Sequence, residues 1–209
     1  MVKSRCVGRT GRAVWLLVAA VLLAGCGTTL TPEDAFTEHS RQVLVVVGLN
    51  YTSSPLEYGS VALRFHRVDQ ETDSIEQLVV FQAMPDYCMM PDSNRCPGYD
   101  YFSVRRVPAG NYLLTAQFAN NQLVTSFIGT KRGLFGNTEM DFSAKPSRLD
   151  AELFDLRPGA VNYIGTFTMH PELTAMAMPA HAGDGAKITD FMKQFPEVDA
   201  PIVLHRSAN

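Results

Sequence analysis

From Gln42 onward the chain breaks into short apolar runs cut by Gly, Pro, Asn and Asp, a pattern that predicts strands joined by turns. The run Val43-Leu44-Val45-Val46-Val47 has no polar face, which predicts a central strand buried on both sides. Val61-Ala62-Leu63-Arg64-Phe65-His66-Arg67 alternates instead and predicts a strand with one face in water. Further strands are expected over 77–82, 101–107, 112–118, 123–128, 139–142, 152–156, 161–169 and 202–205. The intervals between them are too short, and too rich in Gly, Pro and Asn, for crossover helices. The expected fold is therefore mainly β, an antiparallel β-sandwich. One short C-terminal helix is predicted where Ile188, Phe191, Met192 and Phe195 recur at helical spacing ahead of Pro196. Its apolar stripe needs a partner, and the sandwich is the one at hand.

Ahead of the strands, Gly27 to about Ser40 is polar and without β-branched runs, and reads as a flexible tether. Within it Thr31-Pro32-Glu33-Asp34 has the chemistry of a helix start, with Thr31 as cap and Pro32 in the first turn.

The N-terminal apolar run, Ala13 to Gly25, follows Lys3, Arg5, Arg9 and Arg12 and ends in Leu23-Ala24-Gly25-Cys26. Spanning a bilayer as a helix takes about 20 apolar residues, so this run fits a cleaved secretory signal better than a permanent span. The segment resembles the signals of bacterial lipoproteins, whose Leu-Ala-Gly-Cys box marks a cysteine that is lipidated on sulfur and exposed by cleavage. By that resemblance residues 1–25 are a signal peptide, 26–41 a lipidated N-terminus and tether, and 42–209 the sandwich domain, with Cys26 the lipidation site. The resemblance also implies attachment on the periplasmic side of a cell envelope. Gly27, where an aspartate would favour inner-membrane retention in the enterobacterial scheme, points to the outer membrane.

Cleavage before Cys26 removes four of the eighteen basic residues and none of the twenty-one acidic ones, taking the formal charge from −3 to −7. So acidic a domain is a poor partner for nucleic acid, and none is expected. Cys6 leaves with the signal and Cys26 carries lipid, so Cys88 and Cys96 are the remaining thiols. In an oxidising compartment their turn-rich connection, Met89 to Arg95, predicts a local disulfide.

Arg106-Val107-Pro108-Ala109-Gly110-Asn111-Tyr112 and Leu156-Arg157-Pro158-Gly159-Ala160-Val161-Asn162-Tyr163 are alike: a strand, a Pro and Gly turn, then a tyrosine-bearing strand. Both read as tight reversals between neighbouring strands. From Tyr101 to Phe167 the residues resemble prealbumin-like and carboxypeptidase-regulatory-like β-sandwich modules and several bacterial lipoproteins of uncharacterised function. That resemblance implies a fold and no activity.

Candidate chemistry is sparse. Gly-x-Ser-x-Gly and His-Glu-x-x-His are absent from the sequence, and Gly129 to Gly136 lacks the Gly-Lys-Ser/Thr ending of a phosphate loop and reads as a hairpin. Arg64, His66 and Arg67, then Arg105 and Arg106, then Lys131 and Arg132 are basic groups on or beside strands that could form a stripe for an anionic envelope polymer. His170, Met176, Met178 and His181 combine imidazole with thioether, a ligand set suited to copper. The expectation is a membrane-anchored, non-enzymatic binding or assembly module without a cofactor, its partners the membrane and an envelope protein or polymer. A periplasmic copper protein using the Met and His segment, and a hydrolase whose triad assembles from distant residues, are the alternatives.

Overall fold

The computed structural model describes residues 27–51, 61–85, 87–88, 100–134, 137–149, 152–169, 176–178 and 184–205. In chain order the elements are β1 (Thr28–Thr29), β2 (Phe36–Thr37), β3 (Gln42–Tyr51), β4 (Val61–Asp69), β5 (Ser74–Ala83), β6 (Tyr87–Cys88), β7 (Asp100–Pro108) and β8 (Gly110–Ala119). There follow β9 (Gln122–Ser126), β10 (Thr130–Arg132), β11 (Thr138–Met140), β12 (Leu153–Leu156), β13 (Val161–Met169), β14 (Met176–Met178), α1 (Asp184–Met192), β15 (Val198–Asp199) and β16 (Ile202–Leu204).

The fold is a β-sandwich with one short helix. The larger sheet runs β1-β7-β3-β13-β14, with β16 also on β13 and β6 on β7; the smaller runs β12-β8-β4-β5, with β9 on β8. The expectation of antiparallel strands describes the smaller sheet, whereas in the larger one β13 pairs parallel to both β3 and β16.

Strand β3 lies between β7 and β13, as its run of apolar residues requires. Its Val43, Val45, Val47 and Leu49 enter the core between the sheets, beside Leu63, Phe65, Tyr112 and Phe154. The intervening Leu44 and Val46 face the other way, into a second core with Ile188, Phe191 and Phe195 of the helical segment. A period of two thus divides one continuous run between two interiors. Aromatic rings fill the inter-sheet core: the cross-strand pair Phe65 and Phe81 stacks at 4.7 Å between centroids, and Phe167 of the opposite sheet meets Phe65 edge-on at 5.8 Å.

The two Pro and Gly segments have a different role from the one their turn chemistry suggests. They do not join strands of one sheet. Residues 108–110 carry the chain from β7 in the larger sheet to β8 in the smaller, and 157–160 carry it from β12 back to β13. Tyr112 braces the first corner, its hydroxyl donating to the Pro108 carbonyl at 3.0 Å. Asn162, fully buried, braces the second through its amide: Nδ2 donates to the carbonyls of Arg157 and Ala160, and Oδ1 accepts from the Arg157 N–H. Gly159 has φ +65°, and a Cβ there would collide with the Glu38 carbonyl oxygen, so this corner needs glycine.

The polar segment after Gly27 is not a free tether. β1 pairs with β7, β2 pairs with β15, and Leu30 and Phe36 are buried in the core under α1. These two isolated apolar residues seat an otherwise polar stretch, which two-residue strands cannot advertise by periodicity. Thr31 to Asp34 forms a turn and not a helix, with Asp34 Oδ2 accepting from the Thr31 N–H at 2.7 Å and Thr31 Oγ1 at 3.0 Å.

The face of β4 expected to be wet is covered. Ile128 and the segment 140–149 fold over it, and Val68, Ile75, Leu113 and Ile128 form a third core with Met140, Phe142, Ala144 and Leu149. The β4–β5 turn clasps this excursion: Asp73 accepts from the Ser147 N–H at 2.9 Å and from its hydroxyl at 2.7 Å.

Candidate functional site

At the edge where β5 of one sheet approaches β7 of the other lies a groove of about 500 Å³. Alternation along β4 sends Leu63 and Phe65 inward, which leaves Arg64 and His66 on the outer face and in the groove. The β4–β5 register sets Gln82 beside Arg64 and Val80 beside His66. Arg105 comes from the other sheet. Its register partner is Val45, so its stem rises from the sandwich interior and emerges at the edge, only 6% exposed. Gln77, Phe81, Met84, Met140 and Phe142 complete the walls with Gly27.

His66 is 3% exposed, with the Phe142 ring edge-on at 5.0 Å. Thr115 Oγ1 donates its one proton to the Arg64 carbonyl at 3.0 Å, so at 2.6 Å it accepts from His66 Nδ1. The imidazole is thereby the Nδ1–H tautomer, and Nε2 is an acceptor. Burial, reinforced by the nearby Arg64 charge, holds its pKa down to about 4, which keeps the ring neutral at physiological pH.

The Arg64 guanidinium lies over the Phe118 ring, 4.1 Å from its centroid, and burial lowers its pKa from the ordinary arginine value. With its amide oxygen turned towards Arg64, Gln82 accepts from Nη2 at 2.6 Å and Nε at 3.0 Å. A neutral amide therefore orients this guanidinium and leaves its charge in place. Arg105 Nη1 donates to the Val104 carbonyl at 3.0 Å. Among the described residues the lining brings two guanidinium groups, a neutral imidazole and two side-chain amides, and neither a carboxylate nor a hydroxyl or thiol nucleophile. Such a set can hold an anion.

The three basic groups seen in sequence do not form one stripe. Arg64, His66 and Arg105 meet in the groove, while Arg67 turns to Glu76 in a two-point ion pair, 2.9 Å from Nε and 2.8 Å from Nη2. Arg106 lies on the opposite face of β7, donating to the Ala35 carbonyl at 2.8 Å. Lys131 and Arg132 are exposed on β10, and Leu134 just beyond it is 93% exposed. Of the segment expected as a hairpin, Gly129 to Gly136, residues 130–132 form β10, which pairs antiparallel with β11, and Met140, opposite Thr130, lines the groove.

Of the other candidate residues, Cys26, Cys96, His170 and His181 lie outside the described residues. Cys88 belongs to β6, opposite Tyr101 of β7, and only its backbone is described. Met176 and Met178 belong to β14, opposite Thr168 and Thr166 of β13, so this part of the Met and His segment is a strand. Gln77 and Gln82 were not singled out in the sequence, and Gly27 only for its place after Cys26. The visible signal was the outward pair Arg64 and His66, while the rest of the groove is assembled across the sandwich edge.

No family model, curated protein or solved structure matches the chain.

Proposed function

We propose that this protein is a lipid-anchored lipoprotein of the cell envelope, on the periplasmic side and favouring the outer membrane. Its sandwich is a non-enzymatic binding module that works at the membrane surface through the groove beside Gly27. One observation carries the reading: Leu23-Ala24-Gly25-Cys26 closes a signal-like run, and the next residue, Gly27, is already part of the fold. The Gly27 N–H donates to the Val80 carbonyl at 3.1 Å. A Cβ at this position would lie 2.6 Å from Phe81 Cβ and 2.8 Å from Val107 Cγ1, so the chain passes where only glycine fits.

A lipid on Cys26 would then be separated from the folded domain by one residue step, about 3.8 Å between Cα atoms. Two or three acyl chains hold a protein stably in a bilayer, each buried methylene adding about 0.8 kcal/mol. The groove would accordingly stand at the headgroup layer. The same export places Cys88 and Cys96 in an oxidising compartment, where the proposal has them joined.

Intact mass measurement of the mature full-length protein tests the anchor. The expected terminus is Cys26 carrying acyl chains, and Cys26→Ala leaves the unprocessed precursor. An unmodified mature terminus at any other residue overturns the reading.

A further inference from the structure

We infer that the groove beside Gly27 binds the phosphate of an anionic lipid headgroup, with Arg64 supplying the positive charge. The choice of a lipid as the source of the phosphate rests on the anchor proposed above; the anion-binding chemistry stands on the groove itself.

The mature chain has a formal charge of −7, yet the described lining of this groove contains two arginines and no carboxylate. The local sign opposes that of the whole molecule. Arg67, the residue after His66 on β4, is neutralised by Glu76, whereas Arg64 is oriented by the uncharged Gln82. Arg64 is withdrawn from water against Phe118, which strengthens its attraction for an anion, and Arg105 lines the same groove from the sandwich edge. The planar fork of a guanidinium matches two phosphate oxygens at once, and Gln77 and Gln82 add amide donors.

The apolar remainder selects among phosphates. Val80, Phe81, Met84, Met140 and Phe142 line the same groove and suit the glycerol and first methylenes that accompany a lipid phosphate. Inorganic phosphate would leave them wet. Gly27 is part of the lining, one residue from the proposed acylated position, so the ligand is presented at high local concentration by the membrane that holds the protein.

The test is calorimetric titration of full-length mature protein, purified in an uncharged detergent, with dihexanoyl phosphatidylglycerol, dihexanoyl phosphatidylcholine and inorganic phosphate. Saturable binding of phosphatidylglycerol is expected, with the other two weaker by about tenfold or more, the scale of one charge-assisted hydrogen bond. Arg64→Gln should weaken phosphatidylglycerol by a similar factor. Gln77→Glu provides a control for folding: the side chain is exposed, and a carboxylate there repels the ligand without disturbing the core. It should also weaken binding about tenfold while leaving the unfolding midpoint unchanged.

Equal binding of phosphatidylcholine, equal binding of inorganic phosphate, or no saturable binding would each overturn the assignment. So would phosphatidylglycerol binding that neither variant alters. Intact mass of the same sample separates the two ideas, because an unlipidated terminus removes the anchor while the titration still reports on the groove.

Discussion

On the outer face of the larger sheet, Leu44, Val46 and Phe102 meet Ile188, Phe191 and Phe195 as aliphatic and aromatic layers, with Phe102 and Phe191 stacked at 4.4 Å. On the outer face of the smaller sheet, Arg64, His66 and Thr115 hold one another through polar contacts, and Phe142 closes over the imidazole. Both faces are covered, one by a helix with an apolar stripe and the other by an irregular excursion fastened by Asp73 and Ser147. The first cover adds stability that pH does not modulate. The second encloses a charged groove, so its stability depends on protonation and its polar groups are available for recognition.

The largest effect should come from breaking the apolar cover. Phe191→Ala is expected to lower unfolding free energy by about 3 to 5 kcal/mol, since the ring is fully buried and its removal leaves a cavity. Phe142→Ala, at a half-buried ring, should cost about 1 kcal/mol by the same denaturant measurement. Similar losses at both positions would show that the two covers are energetically alike.

Acid should distinguish the faces next. The unfolded chain takes up a proton at His66 near pH 6.5 and the folded protein only near pH 4. The His66 contribution is therefore complete above pH 6.5 and is lost as pH falls from there towards 4, by up to about 3 kcal/mol. In His66→Leu that loss is absent, so the difference in unfolding free energy between wild type and variant should shift towards the variant across this window. A difference that stays constant from pH 7 to pH 4 would refute the buried neutral imidazole.

The smallest effect belongs to the clasp. Ser147→Ala removes one of the two hydrogen bonds to the exposed Asp73 carboxylate, and should speed amide exchange over 145–149 while the global unfolding midpoint stays put. A midpoint that falls as far as in Phe142→Ala would make the clasp an equal partner in the cover.

Much of this architecture was legible locally. Val43 to Val47 announced burial on both faces, the alternation of Val61 to Arg67 placed Arg64 and His66 together, and the spacing of Ile188, Phe191 and Phe195 marked the helix. Sheet membership was not legible, because Pro108 to Gly110 and Pro158 to Gly159 have the chemistry of a hairpin turn whether they join strands in one sheet or cross to another. Parallel pairing of β3 with β13 likewise has no local signature. The seating of Leu30 and Phe36 depends on strands and a helix far along the chain, so their polar neighbourhood suggested a tether. The groove was hidden for a related reason: Gly27, Arg64, Gln82, Arg105 and Met140 converge only when two sheets, an N-terminal strand and a hairpin are all in place.

The docking of the segment after Gly27 also bears on the order in which the molecule can assemble. Gly27 hydrogen-bonds to Val80, Leu30 to Val104, and β2 to β15 near the opposite end of the chain. The residues just after Gly27 therefore acquire their partners after much later strands have formed, a non-local topology that folds slowly. Throughout that interval Val43 to Val47, apolar on both faces, lacks one of its two shields until α1 arrives. A chain released N-terminus first therefore exposes this apolar strand until the C-terminal helix has docked.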